Sequence, residues 1–102
     1  MPQIAVQTVN LIDEKITILF NQNWFQEDIT ILSPLLLDNI SNHQIVERIQ
    51  GADRESIRFR WQDADFILNF DFYSQSCWIC PQDRVSILKI LPLLNHLGSD
   101  IA

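Results

Sequence analysis

Between Arg54 and Tyr73 the chain alternates with a two-residue period, and nothing else in the sequence limits its fold as much. Ile57, Phe59 and Trp61 are separated by Arg58 and Arg60, and Phe66, Leu68, Phe70 and Phe72 are separated by Ile67, Asn69 and Asp71. Successive side chains of a strand point to opposite faces, so this pattern dictates strands with one apolar face. Gln62-Asp63-Ala64 is the turn candidate between the two runs. Pairing Trp61 with Phe66, Phe59 with Leu68 and Ile57 with Phe70 puts both apolar sets on one side.

The neighbouring segments extend the pattern. Gln44 to Gln50 reads as a strand before the turn Gly51-Ala52-Asp53. Ser76 to Ile79 reads as a short strand folding back about Ser74-Gln75, with Cys77 against Phe72 and Ile79 against Phe70. Residues 4 to 11 and 15 to 20 form a first hairpin, with Leu11 opposite Ile16 and Val9 opposite Ile18.

Two segments read as helices. Asn23 before Trp24-Phe25-Gln26, with Glu27 and Asp28 following, predicts a helix over 24–40 that Pro34 kinks or splits. Cys80-Pro81-Gln82-Asp83 opens the last helix, with Pro at its first position and Gly98 as its stop. The order β-β-α-β-β-β-β-α predicts an α+β two-layer sandwich, an antiparallel sheet of five or six strands with two helices on its Phe-rich face. At 102 residues, 47% of them hydrophobic, the chain 1–102 is expected to be one domain around one core.

Thirteen acidic against seven basic residues give a net charge of −6, which repels phosphate backbones and anionic membranes. Neither nucleic acid nor membrane is an expected partner. The start Met-Pro-Gln-Ile-Ala-Val-Gln lacks a basic segment followed by an apolar run, and two cysteines are too few for a disulfide framework, so the expected location is cytoplasmic.

Chemistry is thin. Cys77-Trp78-Ile79-Cys80 has C-x-x-C spacing, and a helix beginning at Cys80 would favour its thiolate. Alternation places Cys77 within a strand, however, and residues three apart on a strand face opposite ways, which argues against a disulfide. His43 and His96 fit no zinc spacing with these cysteines, so no metal and no cofactor is expected. No nucleophile elbow or Gly-rich phosphate loop occurs, and no catalytic residue is assigned.

Parity carries the remaining candidates. If the phenylalanines face inward, Arg58, Arg60, Ile67, Asn69, Asp71, Tyr73 and Trp78 share the outer face. Trp78, Arg58, Arg60, Tyr73 and Asp71 are the candidate binding residues, because Trp, Tyr and Arg concentrate at interface hot spots. A solvated face with Arg–Asp cross-strand pairs and Trp78 along the arginine stems would also satisfy this row. The last helix is apolar on nearly every side, so 83–97 is a candidate homodimer contact. The sequence therefore points to a noncatalytic protein-binding or assembly module. The alternative is a thiol-based redox or thiol-dependent protein using Cys80 and Cys77.

Overall fold

The computed structural model describes residues 3–98. It contains β1 (Val6–Ile12), β2 (Lys15–Phe20), a 3₁₀ turn (Gln26–Asp28), α1 (Ile29–Leu37), β3 (Gln44–Gln50), β4 (Arg54–Trp61), β5 (Ala64–Asp71), β6 (Ser76–Pro81), α2 (Arg84–Ile87) and α3 (Ile90–Gly98). All six strands join one antiparallel sheet in the order β1-β2-β6-β5-β4-β3. The four-strand meander β3 to β6 thus closes onto the first hairpin, and the expected α+β architecture is observed with six strands.

The apolar parity of the sequence becomes the core. Ile16, Ile18, Ile57, Phe59, Phe66, Leu68, Phe70, Cys77 and Ile79 are buried on the inner sheet face. Ile29, Leu32, Leu36 and Leu37 of α1 and Ile90, Leu93 and Leu97 of α3 belong to the same cluster. At the end of β4, Trp61 meets His96 of α3 edge-on, ring centroids 4.9 Å apart.

Two expected registers shift by two residues. Phe59 pairs with Phe66 and Trp61 with Ala64, rather than Trp61 with Phe66. The turn is only Gln62-Asp63, both left-handed at φ 51° and 62°, which is the two-residue turn matching strand twist. Likewise Phe70 pairs with Cys77 and Leu68 with Ile79, around a loop of residues 72–75. Because the slip is even, every side chain keeps its face. The first hairpin has Leu11 opposite Ile16 and Val9 opposite Ile18, as expected.

Both helical expectations need correction at their starts. Trp24 is not helical: it is 2% exposed, with its ring edge-on to Phe20, Phe70 and Phe72. Seating it delays the helix, and the Asp28 carboxylate accepts the Phe25 N–H at 2.8 Å where an Asn23 cap was expected. Pro34 lies within a continuous α1, on its exposed side.

The last helix is not continuous over 83–97. α2 ends at Ile87 and α3 restarts at Ile90. In an unbroken helix the Pro92 ring would clash with the Leu88 carbonyl; the restart puts Pro92 in the first turn of α3, where no donor is needed. Pro81 ends β6, and Asp83 is the N-cap, accepting Ser86 N–H at 2.8 Å. The expected stop at Gly98 is the last described residue.

Both edge strands carry a bulge, between Val6 and Thr8 in β1 and between Ile45 and Glu47 in β3. Bulged edges twist away from a regular ladder and resist pairing with a further strand.

Candidate functional site

The register assembles the outer sheet face in rows. One runs Asn10, Thr17, Trp78, Asn69, Ser56, Ile49 across six strands, and the next holds Cys80, Ile67, Arg58 and Glu47. Asp71 lies between Ser76 and Arg54, and Asp65 opposes Arg60. Trp78, Arg58, Arg60 and Asp71 are thus brought onto one face. Tyr73 is not in that array: β5 ends at Asp71, and Tyr73 projects from the 72–75 loop at 87% exposure.

The arginines are already engaged. Arg58 contacts Glu47 at 2.9 Å and donates to Gln82 Oε1 at 3.4 Å. Arg54 pairs with Asp71 at 3.1 Å, and Arg60 with Asp65 at 3.5 Å. The Ser74 backbone N–H, then Arg54, hold the Asp71 carboxyl below its ordinary range. Arg54, Glu47 and Gln82 are not among the residues that alternation singles out; parity puts Arg54 on the outer face, but the expected register sets it opposite Tyr73, and only the observed two-residue shift brings it to Asp71. Beside Trp78 a groove of ≈ 420 Å³ opens, lined by Lys15, Thr17, Leu19, Ser74 and Ser76 among others.

The thiols separate as strand parity requires. Cys77 is 2% exposed on the inner face, where burial pushes its pKa well up. Cys80 is half-buried within β6, opposite Ile67, and its sulfur lies 3.6 Å from Asn69 Nδ2. Cys80 therefore does not begin a helix, and the macrodipole argument for a reactive thiolate falls. Among the described residues no cluster of three or more His, Cys, Asp or Glu could hold a metal.

A second surface lies where the last helix breaks. Val85, Leu88 and Leu91 are 63%, 78% and 56% exposed and recur every third residue across the α2–α3 junction. Ser86 and Ile90 beside them are buried, so the segment is anchored on one side and open on the other. The Ser86 hydroxyl accepts the Asp65 N–H at 2.8 Å, tying α2 to β5. Hydrogen bonding by the Ser86 hydroxyl, then by its backbone N–H, lowers the pKa of Asp83.

The fold and these surfaces define the class, a two-layer α+β protein built on one antiparallel sheet whose outer face, among the described residues, carries no helix. The chain belongs to the family described as Protein of unknown function (DUF3630), whose model matches residues 6–98. No curated protein and no solved structure matches it. Among the described residues, no helix is long and apolar enough to cross a membrane.

Proposed function

We propose that this chain is a noncatalytic protein-binding or assembly module that makes contact through the α2–α3 ridge. The observation carrying this reading is the exposure of Val85, Leu88 and Leu91 together. Scattered surface leucines need no explanation, but three large apolar side chains in one short segment form a patch that association would cover. The ridge is held by buried Ser86, Ile90 and Leu93, so little ordering is required on contact.

The test is Leu88→Asp in the full chain, used as bait in an extract of cells that make the protein. Leu88 is largely solvent-facing, so the thermal midpoint should stay near wild type while captured protein falls sharply. An unchanged set of captured proteins would remove the ridge from the reading. The groove beside Trp78 favours a second contact on the outer sheet face, at Trp78 with Lys15, Thr17, Leu19, Ser74 and Ser76; Arg58, Arg60 and Asp71 share that face outside the groove.

A further inference from the structure

The ridge has a chemical counterpart on α1. We infer that its partner is a second copy of this chain, in a two-fold dimer where each copy's α1 stripe lies on the other's ridge. The inference rests on reading the ridge as a protein contact. Glu27, Ile31, Leu35 and Asp38 are spaced four, four and three residues apart, so they form one stripe running from the 3₁₀ turn along α1. All four are exposed, Ile31 at 56% and Leu35 at 36%. An acid stands at each end of an apolar centre.

Charge selects the pairing. Residues 26–38 contain Glu27, Asp28 and Asp38 and no Lys, Arg or His. Residues 84–98 contain Arg84, Lys89 and His96 and no acid. None of the three ion pairs among the described residues uses Glu27, Asp38, Arg84 or Lys89. Ridge against ridge would oppose cations, and stripe against stripe would oppose carboxylates. Only the crossed arrangement joins apolar centres while pairing opposite charges.

α1 and α3 pack into one core on the same side of the sheet, so stripe and ridge belong to the same layer. A two-fold axis then repeats the stripe–ridge contact. The repetition is needed, since one ridge of three side chains is far smaller than the ~800 Å² per partner of a specific interface.

Sedimentation velocity on the full chain over a concentration series tests this, with charge-reversed pairs. Wild type should sediment as a dimer at high concentration. Arg84→Glu with Lys89→Glu, and separately Glu27→Lys with Asp38→Lys, should each weaken self-association at least about tenfold. Mixed in equal amounts, the two variants should recover the dimer, because an all-acidic surface then meets an all-basic one. Circular dichroism establishes that each is folded; the single changes Arg84→Glu and Glu27→Lys repeat the exchange if a double variant is not. A wild type that stays monomeric, variants that dimerise as wild type does, or folded variants that fail to recover on mixing would each overturn the dimer. A monomer whose Leu88→Asp form also loses captured protein would leave the ridge as a site for a different protein.

Discussion

Gln75 brackets the backbone of Trp24 with both ends of its amide: Oε1 accepts the Trp24 N–H at 2.9 Å and Nε2 donates to the Trp24 carbonyl at 2.9 Å. The same Nε2 also donates to the Phe72 carbonyl at 3.0 Å. One side chain thus joins the 72–75 loop to the segment that enters α1, across 51 residues of chain. The bracket fixes where the Trp24 ring enters the aromatic cluster of Phe20, Phe70 and Phe72. Gln75→Ala should lower stability by about 1–3 kcal/mol, because partly buried backbone groups lose their partners. Gln75→Glu should also destabilise, since it replaces the donor with a carboxylate facing two carbonyls. Urea unfolding followed by tryptophan fluorescence measures both; wild-type midpoints would mean the amide does not hold this junction.

The two thiols should behave as unrelated groups. With Cys80 half-buried on the outer face and Cys77 shut inside, a thiol reagent should modify one cysteine readily and the second only on unfolding. The pKa of Cys77 is raised above its ordinary 9.0 on folding. Its contribution is therefore fully present below pH ~9 and is lost as the pH climbs towards the folded-state value, because the unfolded thiol ionises first. Cys77→Ala should be less stable at neutral pH from lost packing, yet show a shallower decline in stability above pH ~9. Rapid modification of both thiols in the folded protein would contradict this placement.

Parity was legible throughout the sequence and the register of the first hairpin with it, but the registers of β4–β5 and β5–β6 were not, and the turn at Gln62-Asp63 shows why. Alternation over Arg54–Trp61 and Ala64–Asp71 decides which face each residue takes, because burial on one side penalises any odd shift. An even shift passes that filter. Only turn chemistry could have chosen between registers, and Gln-Asp lacks the Asn-Gly signal that advertises a two-residue turn. Trp24 hid for a related reason: its burial is satisfied by Phe70, Phe72 and Gln75, about fifty residues away, so local capping signals pointed to a helix start one turn too early. The same chemistry makes a prediction. Both turn residues have positive φ without being glycine or asparagine, so Gln62→Asn with Asp63→Gly should stabilise the protein by about 1 kcal/mol. Thermal unfolding checks it, and destabilisation would show that these side chains contribute something beyond the turn.

The outer sheet face sets binding by Trp78 and the arginines against a face whose charges merely satisfy one another. Arg58 is the discriminating residue, because its contacts to Glu47 and Gln82 are exposed and contribute little to stability. Arg58→Ala should leave the unfolding midpoint within about 1 kcal/mol of wild type while reducing partner capture, and Trp78→Ala should reduce capture further. Arg58→Lys separates charge from geometry, since lysine keeps the charge but not the guanidinium fork, and should recover capture only in part. Titrating salt during capture supplies a second readout: a contact using these arginines weakens as ionic strength rises, and in Arg58→Ala that salt dependence should become shallower. If Arg58→Ala and Trp78→Ala both leave capture unchanged while Leu88→Asp abolishes it, the outer face is a solvated surface, and the α2–α3 ridge alone carries the binding.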